Sequence, residues 1–283
     1  MDTSLSTHRT TPDLASAPRS ARNLVADVIR RFRAADGTSH ARALAYQSVL
    51  AVIAGFIAIV GISSLLHVRE VRSVVQHIVS SVAPGPSGKL LQEAAAQGAT
   101  NGTTAVVLGL AAALITGMFA VAQVERSADR IKGIDTDRPT ARRYALAFVL
   151  AIPVGALLAT GGLMIGAGAA IPDALGLAGA GAVAWDVVRW PLGLVIVGAG
   201  LLLLLRAAPL GRLGSTRHLM IGTAVALVLW VVFTGLLGVY FAVSSSASQT
   251  YGPLLSVVAL MLWALLTSLA LHLGIATTVE LER

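Results

Sequence analysis

The sequence predicts an all-α integral membrane protein with six transmembrane helices. Of its 283 residues, 55% are hydrophobic and only 12% are charged, whereas soluble domains carry about 25% charged residues. The apolar runs reach roughly 20 residues, the length that a helix needs to cross a bilayer. They lack the segments of about 10 alternating residues that are typical of an outer-membrane barrel. Most of the outer surface is therefore expected to face lipid.

The apolar runs define six predicted spans. Two prolines, Pro191 and Pro253, fall in the first turns of the fourth and sixth spans, where proline costs little stability. The six spans cover residues 44–66, 103–123, 144–168, 187–205, 219–243 and 253–275.

The basic residues predict the orientation of these spans. Of the 21 Lys and Arg residues, 17 lie on the side of the two termini and four lie on the other side. Positive residues concentrate in the cytoplasm, so both termini are expected inside, in a multi-pass protein of the cytoplasmic (bacterial inner) membrane. This bias, with contact to anionic lipid headgroups, explains the net charge of +7 without nucleic acid.

The remaining segments complete the predicted domain organisation. Residues 1–20 are a polar, disordered and retained tail, and residues 21–42 are an amphipathic helix at the cytoplasmic interface. Packing of that helix on its own protein is an equal alternative. Within the membrane domain, 43–276, residues 67–102 form a helical outer cap, which is either a passive lid or, alternatively, a gate or substrate-docking surface. Residues 277–283 are a cytoplasmic C-terminus.

The sequence offers no catalytic constellation. It has no cysteine, no HExxH metal motif and no GxSxG nucleophile elbow. All acidic residues are placed outside the span centres, with Glu125 and Asp129 in the second loop. His272 lies one turn from the inner end of the last span, where we expect its polar tip to reach the interface, with proton relay as the alternative. We therefore expect neither an enzyme, nor a cofactor, nor a metal.

A few residues are candidates for a substrate path or a structural clamp. Pro153 must remove a backbone hydrogen bond inside the third span and kink it. Asp186 and Arg189, three residues apart, can pair on one helical face as a clamp, or alternatively as an entry site. The candidate path or hinge comprises Gln47, Ser48, Pro153, Thr160, Gly161 and Gly162.

Several landmarks occur in one order along the chain. They run from the first span, through the basic second loop and both ends of the fourth span, to the last span: Tyr46, Arg138, Arg142, Arg189, Trp190, Pro191, Arg206, Pro209, Tyr251, Gly252, Trp263 and Gly274. Over about residues 40–280 this ordered set resembles the YihY/BrkB family of bacterial inner-membrane proteins, which was formerly mislabelled ribonuclease BN. The resemblance is that of a divergent member: Ala51 and Ala54 stand where the family carries Ser and Pro.

The resemblance implies six membrane helices and an inner-membrane location, but no settled activity. The leading hypothesis from the sequence is a transporter or flippase-like permease for an amphiphilic, lipid-like or small-molecule substrate. The alternative is a non-transporting envelope scaffold, since small-residue helix faces suit association with lipids, partner proteins or a second copy of the chain. An intramembrane enzyme ranks third, and ribonuclease activity is not expected.

Overall fold

The computed structural model describes residues 21–66, 102–168, 172, 179–243 and 245–283, and this part of the chain contains seven long helices and no strand. The predicted tail and nearly all of the predicted outer cap lie outside the described residues. The helices are α1 (Ala21–Ala34), α2 (Gly37–Leu66), α3 (Gly102–Lys132), α4 (Thr140–Ala167), α5 (Ala180–Ala207), α6 (Thr216–Val243) and α7 (Ser245–Glu282). Six of them, α2 to α7, are long and apolar enough to cross a membrane. The predicted fold class is confirmed.

Two helices begin earlier than the apolar runs indicate. Helix α5 begins at Ala180 and α7 at Ser245, so Pro191 and Pro253 lie inside these helices. The prediction that they occupy first turns is wrong. The reason is that the apolar window marks the part of a helix that suits lipid and not the whole helix; in α5 the Ala-rich residues before that window favour helix by themselves.

Helix α1 packs on its own protein, mainly against α7. Its buried residues Val28 and Phe32 lie one turn apart. The chain then turns at Asp36, whose φ of 49° lies in the left-handed region that Asp tolerates better than most residues. Because α2 begins directly afterwards at Gly37, the segment 21–42 consists of α1 and the first turns of α2.

The six long helices form a closed ring of three antiparallel hairpins. The most extensive contacts are within the pairs α2/α3, α4/α5 and α6/α7, while α3/α4, α5/α6 and α7/α2 join the pairs into a ring. Helix α3 also contacts α7 across the ring.

Glycines bring the two helices of each hairpin into close contact. A Cβ on Gly161 of α4 would lie 2.8 Å from the carbonyl oxygen of Gly193 on α5. A Cβ on Gly274 of α7 would lie 2.5 Å from the carbonyl oxygen of Gly222 on α6, and one on Gly109 of α3 would lie 2.5 Å from the Ala58 nitrogen on α2. Small residues of this kind let membrane helices approach closely.

The core lies at one end of the ring, where α2, α4 and α6 begin and α3, α5 and α7 end. We call it the basic end, because it carries the arginines of α1, the arginines and lysine in the last turns of α3, and the arginines of the α3–α4 and α5–α6 loops. Its fully buried apolar residues include Val124, Ala128, Ile131, Leu205, Ile275 and Val279. Toward the opposite end the helices instead expose large apolar side chains, among them Val107, Leu108, Val183, Val187, Leu236 and Val239. Such a surface suits contact with lipid chains.

Candidate functional site

His272 of α7 is the most deeply buried titratable side chain near the centre of the basic end. None of its surface is exposed. Its Nδ1 lies 2.6 Å from the carbonyl oxygen of Ser268, one turn earlier. Its Nε2 is buried and has no hydrogen-bond partner among the described residues. The expectation that its polar tip reaches the membrane interface is therefore wrong, because α2 and α3 pack over the face of α7 that carries it.

A second histidine lies near the first. His40 of α2 contacts Gln123 of α3, with 3.0 Å between its Nδ1 and the Gln123 amide nitrogen. The two imidazoles lie on α2 and α7, two helices that pack against each other and both contact α3.

Further buried polar atoms continue from the histidines along α2 and α7. Ser268 has a buried hydroxyl, and Gln47, two turns along α2 from His40, has a buried side-chain oxygen. Neither atom has a hydrogen-bond partner in the described part of the chain. We call His40, Gln47, Gln123, Ser268 and His272 the polar track.

The unpartnered atoms of the polar track indicate what it can do. A buried polar atom without a partner costs about 1–3 kcal/mol, and water or a polar ligand is the usual explanation for such atoms in native proteins. The track can therefore donate and accept hydrogen bonds to water or to a polar group.

Several other polar residues of the spans are satisfied locally, although the buried hydroxyl of Thr267 has no partner among the described residues. The hydroxyls of Thr116 and Thr223 donate to the carbonyl oxygens one turn earlier, at 2.7 and 2.9 Å. Thr234 accepts a hydrogen bond from the Trp263 indole nitrogen at 3.2 Å. Threonines that bond to their own helix in this way have little capacity left for a ligand.

The residues predicted for a path or hinge do not converge on one place. Gln47 and Ser48 are half-buried on α2, while Pro153, Thr160 and Gly162 are exposed on α4. Gly161 packs against α5, as described above. Helix α4 is continuous through Pro153. This proline is exposed, so it lies on the surface of the helix and not against the polar track.

A buried charge cluster lies beside the track, where the sequence indicated a loop. Helix α3 continues to Lys132, and Glu125 is only 1% exposed. Its Oε1 lies 3.4 Å from Nη1 of Arg138 and 3.8 Å from Nε of Arg143. Arg143 also pairs with Asp137 at 3.2 Å, so the cluster joins α3 to the start of α4.

Asp129, also on α3, fixes the α5–α6 loop. Its two carboxylate oxygens accept hydrogen bonds from the Leu210 backbone N–H at 2.9 and 3.2 Å. The placement of Glu125 and Asp129 in a loop was therefore wrong. The signal that reveals the longer helix is the continued apolar spacing of Val121, Val124, Ala128 and Ile131, whose buried face these acids share.

At the opposite end, the predicted ion pair between Asp186 and Arg189 is confirmed. Nε of Arg189 lies 3.0 Å from the Asp186 carboxylate, and its Nη1 donates to the carbonyl oxygen of Ile165 at 3.1 Å. The Trp185 indole N–H donates to the carbonyl oxygen of Gly168 at 2.7 Å. Both contacts tie α5 to the last turn of α4.

A family comparison decides the relationship of this chain. The family model described as "Virulence factor BrkB" matches residues 28–283, nearly the whole described structure. The chain belongs to the BrkB family. The resemblance expected from its ordered landmarks is thereby confirmed, and the chain is a multi-pass membrane protein of this family.

Among curated proteins, this BrkB-family chain is similar to the "Putative ribonuclease-like protein YfkH" of Bacillus subtilis (strain 168). The two are 25% identical over 258 residues, which cover 88% of this chain and 91% of the relative. No solved structure matches the chain. Within the described residues, no group of three or more His, Asp or Glu side chains is placed to hold a metal ion.

The BrkB-family landmarks occupy structural positions at both ends of the bundle. Arg206 donates to the Thr216 hydroxyl at 3.2 Å across the α5–α6 loop, which contains Pro209. Tyr46 is exposed on α2 and Trp190 on α5. Tyr251 and Gly252 lie in α7, and Arg138 and Arg142 line an open depression at the start of α4.

Proposed function

We propose that the protein is a permease of the cytoplasmic membrane that moves an amphiphilic or lipid-like substrate. The observation that carries this proposal is the polar track, in which His272, Ser268 and Gln47 present buried atoms without partners. Polar side chains inside a membrane bundle are costly, and they commonly mark substrate or ion pathways.

The distribution of polarity along the bundle supports an amphiphilic substrate. The polar track lies toward the basic end, whereas the opposite half of the bundle exposes apolar side chains to its surroundings. A molecule with one polar group and an apolar tail would find a matching environment for each part. The proposed orientation, with the basic end in the cytoplasm, follows from the positive-inside rule.

The arrangement of helices supports a mechanism of rigid-body movement. The close glycine contacts lie within the hairpins α2/α3, α4/α5 and α6/α7. The contacts between hairpins are less extensive than those within them. Three stiff hairpins can shift against one another without repacking internally, as helix pairs do in transporters. The polar track lies at such a boundary, because α2 and α7 belong to different hairpins.

A scaffold function is the second candidate. It is favoured by Thr116 and Thr223, whose hydroxyls bond to their own helices and line no path. In either case the proposed function is not enzymatic, and the ribonuclease-like description belongs to the Bacillus relative.

The proposal is tested by reconstituting the purified chain in liposomes that carry a fluorescent phospholipid in both leaflets. A membrane-impermeant reductant bleaches only the outer leaflet, so transport appears as bleaching of more than about half of the signal. We expect wild-type protein and the control Thr223→Val to transport, and Gln47→Leu to be slower. Absence of transport by the wild-type protein, with lipid analogues of either headgroup charge, would overturn the proposal and favour a scaffold.

A further inference from the structure

An open depression lies at the start of α4, and its lining includes no residue of the polar track. It has a volume of about 420 Å³ and is lined by Arg138, Pro139, Arg142, Leu146 and Leu210. We propose that this depression is a binding site for the phosphate headgroup of an anionic glycerophospholipid. The inference does not depend on the transport proposal, because a bound lipid can serve a transporter or a scaffold equally.

The charge at the depression favours an anion. Arg142 is exposed, and the acidic side chains around it are paired with other residues. Glu125 pairs with Arg138 and Arg143, and Asp137 pairs with Arg130 and Arg143. In the described part of the chain, Arg142 therefore has no acidic partner, and its guanidinium is available to a phosphate, which arginine binds in a bidentate manner.

An ion pair with Glu125 holds Arg138 beside the depression. Nη1 of Arg138 lies 3.4 Å from the Glu125 carboxylate but forms no hydrogen bond within the described residues. The ion pair thus fixes the Arg138 side chain at the wall of the depression, while the exposed Arg142 supplies the guanidinium that is free to bind an anion. The start of α4 also carries no side-chain cap, so its free backbone N–H groups add positive potential at Pro139.

The depression also has an apolar side, which favours a lipid over a free phosphate ion. Leu210 is 43% exposed and Leu146 is half-buried. One turn beyond Leu146, Val149 is 63% exposed on the same side of α4. A headgroup between the arginines could therefore lay its acyl chain along an apolar surface that continues toward the membrane interior.

The test is lipid retention by the full chain, measured by native mass spectrometry after extraction in detergent containing phosphatidylglycerol or phosphatidylcholine. We expect wild-type protein to retain phosphatidylglycerol selectively. Arg142→Gln should reduce retention about tenfold, the equivalent of ~1.4 kcal/mol. The matched control Arg217→Gln removes the same charge from an exposed position outside the depression and should retain the lipid. Unchanged melting temperatures would confirm that both variants are folded.

Two results would overturn the proposal. Equal losses in Arg142→Gln and Arg217→Gln would mean that lipid binds by overall surface charge and not at this site. Displacement of the lipid by millimolar inorganic phosphate, with phosphate bound in its place, would assign the depression to a free anion. Retention that resists phosphate and depends on Arg142 supports the phospholipid site.

Discussion

Arg31 and Glu280, 249 positions apart in the chain, form a salt bridge of 2.5 Å that is nearly buried, with side-chain exposures of 10% and 9%. Nη1 of the same arginine donates to the Ile131 carbonyl oxygen at 3.0 Å. One side chain of α1 thereby holds the ends of α3 and α7 together. The N-terminal helix is thus part of the packed basic end.

The salt bridge predicts a loss of stability when its arginine is neutralised. Arg31→Gln should lower the free energy of unfolding by about 2–3 kcal/mol, because the nearly buried Glu280 carboxylate would lose its ion pair with Arg31 and the Ile131 carbonyl oxygen would lose its donor. The control is Arg30→Gln, whose exposed pairing with Asp27 should contribute less than about 1 kcal/mol. Thermal unfolding in detergent checks both variants. Equal melting temperatures for the two would contradict the structural role of Arg31.

The buried charge cluster predicts a similar asymmetry in α3. Glu125→Gln should destabilise the protein by about 3 kcal/mol, since Arg138 would lose its acidic partner and Arg143 would keep Asp137 alone among the described residues. Asp135→Asn, at a position that is 95% exposed, should be nearly neutral. The comparison can be made by denaturant or thermal unfolding. If Glu125→Gln were as stable as Asp135→Asn, the cluster would not hold α4 to α3.

The glycine contacts within hairpins predict opposite effects for the same substitution at two positions. Gly274→Ala should destabilise the α6/α7 pair by about 1–3 kcal/mol, because the new methyl group would meet the Gly222 carbonyl oxygen at 2.5 Å. Gly235→Ala, where nothing lies within 4 Å, should be neutral or slightly stabilising, since alanine favours helix over glycine. Folded yield after size-exclusion chromatography and the melting temperature provide the readout. Equal tolerance of both substitutions would argue against a tight hairpin.

The sequence predicts features that depend on neighbouring residues, and it does not predict features that depend on contacts between distant helices. The six spans follow from local hydropathy, and the Asp186–Arg189 pair follows from a spacing of three residues on one helix. The burial of Glu125 could not be predicted in this way, because the apolar run ends before it and its partners Arg138 and Arg143 come from the next helix region. The burial of His272 could not be predicted for the same reason, because it depends on the packing of α7 against other helices.

The candidate site shows the same limit. Gln47 was identified from its polarity within an apolar span, but its relationship to His272 requires the packing of α2 against α7. Pro153 carried a clear local signal, yet that signal does not show which face of α4 the residue occupies. Chain positions that act together across the ring are therefore visible only in the folded structure.

We predict that the polar track, as the proposed substrate path, is accessible to water, and thiol labelling measures that accessibility. The chain contains no cysteine, so Ser268→Cys and Gln47→Cys can be introduced singly and exposed to a membrane-impermeant thiol reagent. Val195→Cys, on the exposed apolar surface of α5, is the control for a position that faces lipid. We predict labelling at residues 268 and 47 and none at residue 195. Absence of labelling at both track positions, in protein that labels fully after unfolding, would contradict the proposed substrate path and identify a closed bundle.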